Sequence, residues 1–258
     1  MNASKLDDLA QALATAWHEG RSIASAVPWQ DVLQDADDAY LAQDALGRAM
    51  AWFGTTAVPG HWKSGGPSRD AVLTHAPLPP HGVRASPAQF GDMHFHVPGI
   101  EAEIALRLGE AVTPERAAGL KPEDAGALVD AMAVSIEIVD SRWAAGNQAP
   151  ALLRLADMQS HGALVLGEWV PYAPRDWSAQ RCEARIGTQE TVARTGTHSL
   201  GDPAWLLPTW LRHVTRHGKS VPAGTVITTG TWVGVLPILA GQKVVVEFPG
   251  IGRAEATL

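Results

Sequence analysis

Apolar residues in the first fifty positions recur at helical spacing. Leu6, Leu9, Leu13 and Trp17 fall on one face of a predicted helix. A second helix is predicted through DADDAYLAQDALGRAMAWFG. Its opening acids suit a helix N-terminus, and Ala39, Ala42, Leu46, Ala49, Met50 and Phe53 repeat up to Gly54. The period then changes, and GHWKSGG (60–66) reads as a short strand running into a turn. From Ser64 to Asp92 five prolines interrupt any period, as in a lid or binding loop. HFHVPGIEAEIALRLG follows as strand-like sequence, then a helix opening at Lys121-Pro122-Glu123-Asp124, then a strand over Val134 to Val139.

The last third carries GALVLGEWV, a hairpin turning through Ile186-Gly187-Thr188-Gln189, and a helix capped by Asp202 with Pro203 at its first position and Gly218 beyond its end. Pro208 predicts a kink or an earlier break in that helix. VPAGTVITTG, QKVVVEFPG and GRAEATL read as strands separated by glycine turns. Helices and strands alternate without a βαβ rhythm, so the predicted class is α+β, with a helical N-terminal region over 1–60 and a mixed-sheet catalytic domain over 61–258.

Composition narrows the function. At 258 residues the chain can bury a sizeable core. One cysteine, Cys182, excludes an internal disulfide framework and fits a cytoplasmic setting. The N-terminal segment is amphipathic and acid-containing, without the continuous apolar run of a signal peptide or membrane span. The net charge of −7 is spread along the chain with no basic stripe, which disfavours nucleic acid and leaves a small ligand, neutral or metal-screened. The ten tryptophans are read as packing residues.

The chemistry concentrates in PGIEAEIALRLG. On a strand, Glu101 and Glu103 share one face about 7 Å apart, opposite Ile100, Ala102 and Ile104. Spacing alone admits both a wet strand face and a ligand pair. Glu137, between Ile136 and Ile138, adds a third acid in an apolar setting where an unpaired carboxylate is costly. A hard divalent cation such as Mg²⁺ or Mn²⁺ satisfies all three. Three acids on a doubly charged ion leave one negative charge, so a cation is expected nearby. Lys63, one of only five lysines, is the candidate. A rival reading takes His94 and His96 with Glu101 as the His-x-His then Glu spacing of cupin barrels. A second cupin element would need a downstream histidine, and GTWVGVLPILAGQKV has none.

Taken in order, AYLAQ, GHWKSG, GIEAEIALRLG, SIEIVDSRW, LADMQSHGALVLG and the long segment from Gly201 to Leu258 resemble the 2-keto-4-pentenoate hydratase branch of the fumarylacetoacetate hydrolase family. The resemblance implies a small helical part packed on a larger curved mixed sheet, assembled into homo-oligomers. It also implies Mg²⁺ or Mn²⁺ held by Glu101, Glu103 and Glu137, a functional lysine at Lys63, and substrate contacts at Ser160, Gly230 and Thr231. The implied reaction polarises a 2-oxoacid on the ion and adds water to a 2-hydroxydienoate to give a 4-hydroxy-2-oxoacid, as in aromatic-compound degradation. Partial desolvation is expected to lower the Lys63 pKa so that it can shuttle a proton.

The chain departs from this pattern at one place. Where hydratases of the branch carry a Pro-Asp-aromatic-Gly element, it reads Pro77-Leu78-Pro79-Pro80-His81-Gly82. His81 is then the candidate replacement for the missing acid. A 2-oxoacid decarboxylase, a C–C hydrolase and a non-catalytic metal- or ligand-binding partner remain as alternatives. Substrate specificity is expected to reside in the 64–92 stretch and in nearby tryptophans.

Overall fold

A computed structural model describes residues 3–54 and 58–258. In chain order the helices are α1 (Ala3–Glu19), α2 (Ala36–Ala49), α3 (Pro114–Gly119), α4 (Ala151–Ala156) and α5 (Leu207–Thr215). The strands are β1 (His61–Gly65), β2 (Thr74–Pro77), β3 (Val83–Ala85), β4 (Ala88–Gln89), β5 (Gly99–Leu108), β6 (Val129–Val139) and β7 (His161–Leu166). After them come β8 (Val170–Pro171), β9 (Arg181–Ile186), β10 (Val192–Thr195), β11 (Val226–Thr228), β12 (Leu236–Pro237), β13 (Lys243–Phe248) and β14 (Gly252–Thr257).

The strands form two sheets. The larger runs β2-β1-β11-β5-β6-β7-β3, with β12 beside β5 and β8 beside β6, and the smaller runs β10-β9-β13-β14-β4. One apolar core joins them: Ile100, Ala102, Ile104, Ile136 and Ile138 of the larger sheet pack with Val244, Val246, Phe248 and Ala254 of the smaller. This is the mixed α+β class that the periodicity and the resemblance predict. The isoleucines that flank the glutamates turn into this core, and the alternation of strand faces puts the glutamates on the other side.

β11 is a strand of three residues with a large structural role. It runs parallel to β1 (Lys63 opposite Thr228) and antiparallel to β5 (Thr228 opposite Ala105), so it joins the lysine-bearing strand to the strand of the paired glutamates.

A second apolar cluster gathers Leu9, Leu13, Ala39 and Leu46 with Trp143, Leu153, Leu155 and Met158. The helical region packs on chain well beyond residue 60, and Gln43 Nε2 ties it there by donating to the His75 and Leu155 carbonyls at 3.1 and 2.7 Å. Arg142, paired in the interior with Asp157 at 2.6 Å, also lies 3.9 Å from the Trp17 ring and pins α1.

Several elements differ from the periodicity. The 64–92 stretch is not one loop: β2 pairs with β1, β3 runs parallel to β7, and β4 runs parallel to β14. These strands are too short for a local period to mark them, and β3 and β4 take their partners from distant sequence. Only residues 66–73 remain irregular between β1 and β2, and Arg69 and Gly66 anchor them to Leu200 and Ser199. α2 stops at Ala49 because Ala51, at φ +52°, turns the chain and folds Phe53 back onto Gly47. The segment after Lys121 is a 3₁₀ turn (Pro122–Leu128), and β6 begins at Val129, earlier than the Val134 predicted. Asp202 does cap, accepting from the Ala204 amide, and the break expected of Pro208 separates a 3₁₀ turn (Pro203–Leu206) from α5.

Candidate metal centre

β5 and β6 pair so that Glu101 stands directly opposite Glu137, with Glu103 opposite Ser135. The three side chains therefore rise from one face of adjacent strands, and a carboxylate oxygen from each lies within 4.8 Å of the others. Glu137 is fully buried, Glu103 nearly so, and Glu101 half-buried. From β1, Lys63 reaches Glu137 Oε1 with its Nζ at 2.5 Å and donates to the Gln159 carbonyl at 3.2 Å. His161, at the start of β7, completes the surroundings of Glu137, its Nδ1 lying 3.1 Å from the same oxygen. Burial pushes its pKa down, so the ring is neutral and Nδ1 carries the proton that the carboxylate accepts.

The carbonyl that meets Lys63 is aimed by an unusual turn. Met158, Gln159 and Ser160 all have positive φ (45°, 56° and 57°), a left-handed conformation that non-glycine residues adopt at a cost of about 1–3 kcal/mol each. Two anchors hold it. The Ser160 carbonyl accepts from the Asp140 amide at 2.9 Å, and Gln159 Nε2 donates to Thr74 Oγ1 at 2.8 Å. On the opposite wall Gly230, at φ +105°, donates its amide to Glu103 Oε2 at 3.0 Å, a backbone conformation that a side chain would strain.

Glu101, Glu103, Lys63, Ser160, Gly230 and Thr231 line one cavity of ≈ 630 Å³. The expected site residues are thus brought together, with one exception. His81 sits on an exposed 3₁₀ turn against the rings of Trp17 and Trp52, at 6.4 and 6.2 Å between centroids, and is not among the cavity's lining residues. The catalytic role expected of it has no geometric support, because β2 and the turn after it carry Pro80–Gly82 towards the N-terminal helices. None of the tryptophans expected to shape specificity lines the cavity, and from the 64–92 stretch only Ser64, Gly65, Gly66, Pro67, Val72 and Thr74 do. His94 and His96 lie outside the cluster, where the His96 amide donates to Asp140, so no cupin-like ligand set forms.

The electrostatics are those of a site short of positive charge. Burial, reinforced by Glu137, pushes the Glu101 carboxyl up to about 7 against the pull of Lys63. Burial and the two neighbouring acids push Glu103 up to about 8. On Glu137 burial acts upward as well, but the Lys63 charge and the His161 and Lys63 hydrogen bonds outweigh it and hold the carboxyl low. The Lys63 expectation is overturned in sign. Desolvation does pull its pKa down, yet the adjacent carboxylates outweigh it, and the ammonium is held above its ordinary value.

Several buried polar atoms here have no protein partner: Glu137 Oε2, Ser135 Oγ, Ser160 Oγ, Thr228 Oγ1 and His161 Nε2. Buried groups of this kind ordinarily find partners. Three convergent carboxylates, two of them poorly tolerated as anions, with an all-oxygen donor set, fit a hard divalent cation. Sequence reasoning missed His161 and Gln159. His161 was legible only as the neighbour of Ser160 in LADMQSHG, and the left-handed turn leaves no compositional mark because it contains no glycine.

The sequence profile of the fumarylacetoacetate (FAA) hydrolase C-terminal family matches residues 63–258. Over nearly its full length the chain is similar to 2-keto-4-pentenoate hydratase 1 of Dechloromonas aromatica (strain RCB), at 30% identity covering 99% of this chain and 98% of that one. The 2-keto-4-pentenoate hydratase of Paraburkholderia xenovorans (strain LB400) is 28% identical, covering 98% and 94%. Among solved structures, 4-oxalocrotonate decarboxylase from Pseudomonas putida G7, complexed with magnesium and adipate, superposes with a TM-score of 0.83 over 100% of this chain and 98% of that one, at 20% identity. With the profile spanning both sheets and the whole glutamate cluster, the chain belongs to the fumarylacetoacetate hydrolase family.

Proposed function

We propose that the chain is a divalent-metal-dependent hydratase that adds water to a 2-hydroxydienoate, or its 2-oxo-alkenoate form, to give a 4-hydroxy-2-oxoacid in aromatic-compound degradation. The observation that carries this reading is the convergence of three carboxylates and one ammonium, with Glu101, Glu103 and Lys63 lining a single cavity. Glu101, Glu103 and Glu137 would hold Mg²⁺ or Mn²⁺, which when bound supplies Lewis acidity to a 2-oxo group. Lys63 holds a proton at Nζ beside the cluster, where it stabilises negative charge developing on substrate oxygen and can return the proton to carbon. The unpartnered Ser160 hydroxyl, with Gly230 and Thr231 on the facing wall, orients the substrate carboxylate. His161 acts at one remove, fixing Glu137 through Nδ1. The names and near-complete coverage of the two hydratases support water addition.

A second reading, decarboxylation of a 2-oxoacid at the same centre, draws on one observation: the Pro77–Gly82 element lacks an acid, and His81 does not take its place in the cavity. Incubation of the purified protein with Mg²⁺ and 2-hydroxypenta-2,4-dienoate separates the two. Ultraviolet loss of the dienol with a hydrated product is expected. Release of CO₂ from the 2-oxoacids offered in place of hydration assigns the decarboxylase, and no turnover of any 2-oxoacid removes the enzymatic reading. Lys63→Met is expected to lower kcat by about 100-fold or more while calorimetry still registers Mg²⁺ binding.

A further inference from the structure

The cavity has a second cationic group that the chemistry above does not use. Arg154, on α4, lines the same space as Glu101, Glu103 and Lys63. It is half-buried, and its Nε donates to the Ala149 carbonyl at 3.0 Å, which fixes the plane of the guanidinium. Its two Nη groups have no hydrogen-bond or ion-pair partner among the described residues. Arg107, Arg116 and Arg142, by contrast, each place theirs on a carboxylate or carbonyl.

The cavity lining also includes apolar or neutral residues, Ala36, Val72, Ala151, Leu152 and Asn147. Among the described residues, the only acids lining the cavity are Glu101 and Glu103. The space therefore combines a carboxylate–lysine cluster, apolar lining and a free guanidinium fork.

We propose that Arg154 is a specificity residue that binds a second carboxylate, so that the preferred substrates are 2-oxo or 2-hydroxy dicarboxylates rather than the monoacid of the same chain length. The inference rests on the proposed site chemistry for the position of the 2-oxoacid end. A guanidinium with both Nη groups free presents two parallel donors, the arrangement that a carboxylate accepts in bidentate fashion. An unbranched alkenoate with a methyl or vinyl terminus would leave that fork without a partner and place hydrocarbon against a charge. The reaction at the metal end is unchanged by this recognition, so the proposal concerns which acid is taken, not what is done to it.

The test is calorimetric and needs no turnover. The full chain, loaded with Mg²⁺, is titrated with 2-oxoadipate and with 2-oxohexanoate, which differ only in the distal carboxylate. Wild type is expected to bind the diacid about 10- to 100-fold more tightly, the range for a charge-assisted hydrogen-bonded pair. In Arg154→Gln the ratio collapses towards one, in Arg154→Glu it inverts, and in Arg154→Lys part of it survives. Equal affinity for both acids in wild type, or a diacid preference that persists in Arg154→Gln, overturns the proposal. Because Arg154 also holds Ala149, the wild type is titrated in parallel with the distal monomethyl ester of 2-oxoadipate. Binding of that ester as tightly as the free diacid overturns the proposal without recourse to a variant. Failure of the hydration assay would count against the reaction assigned above, whereas this comparison reads the acid-binding end alone.

Discussion

Glu103 carries a tension that a metal-free preparation exposes. Its carboxyl is almost fully buried, meets only the Gly230 amide, and is pushed up to about 8 by burial and by its two acidic neighbours. The folded state therefore holds a proton that the unfolded chain releases near 4.5, and the stability gained is full below 4.5 and lost as pH rises through 8. Glu103→Gln keeps the shape and an acceptor for Gly230 but cannot ionise. Without metal the variant is expected to melt near the wild type at pH 5 and above it at pH 9, in a thermal scan. With Mg²⁺ the order reverses at pH 9, because the wild type then gains binding energy that the amide forgoes. A wild type that melts higher than the variant at pH 9 without metal would refute this account of the site.

At the scale of elements, Gln43 shows how a weak sequence signal acquires a role. In AYLAQ it is one polar residue on a helix face, yet it is buried and its amide bridges β2 and α4 through the His75 and Leu155 carbonyls. Gln43→Ala leaves both carbonyls without this partner and is expected to destabilise the fold by about 2–4 kcal/mol, measured by urea unfolding. Because Leu155 and Arg154 lie on α4 at the cavity wall, a rise in KM accompanies it. What was legible at this scale follows from range. β5 and β6 are long strands whose alternation between Ile and Glu can be read directly, so the acid cluster was foreseen from PGIEAEIALRLG and SIEIV. α4 spans six residues, too few for a period to register, so nothing in the sequence singles out Arg154. β2, β3 and β4 have two to four residues each, and β3 and β4 have distant partners, so the Pro-rich stretch reads as a loop and nothing local sets His81 apart from the cavity.

For the molecule as a whole, two groups of buried titratable residues oppose each other. His75 and His213, their rings tilted against each other with centroids 4.8 Å apart, are pushed down by burial, and by Arg216, to about 3 and about 2. Their neutral forms stabilise the fold fully above the ordinary 6.5, and that contribution is lost as pH falls towards 3. Glu101 and Glu103 act in the reverse sense, stabilising below 4.5 and failing through 7 to 8. Between 4.5 and 6.5 the two trends oppose each other, so the metal-free melting temperature is expected to vary least there and to decline on either side. Saturating Mg²⁺ should lift the alkaline decline and leave the acid one in place, since the histidine pair is no part of the carboxylate cluster. An acid limb that also moves with Mg²⁺ would contradict this assignment.

The insertion of β11 between β1 and β5 also has a consequence for biosynthesis. The three glutamates come from a hairpin completed within about forty residues, and they can meet as soon as β5 and β6 have left the ribosome. Lys63 is made before any of them, but the strand that holds it in register is Val226–Thr228, near the end of the chain. A nascent protein is therefore expected to pass through a stage with its acids assembled and its lysine unplaced. Ribosome-bound chains halted before residue 226 should capture Mg²⁺ without processing a 2-oxoacid, so that the reactive centre is switched on only by the closing strand.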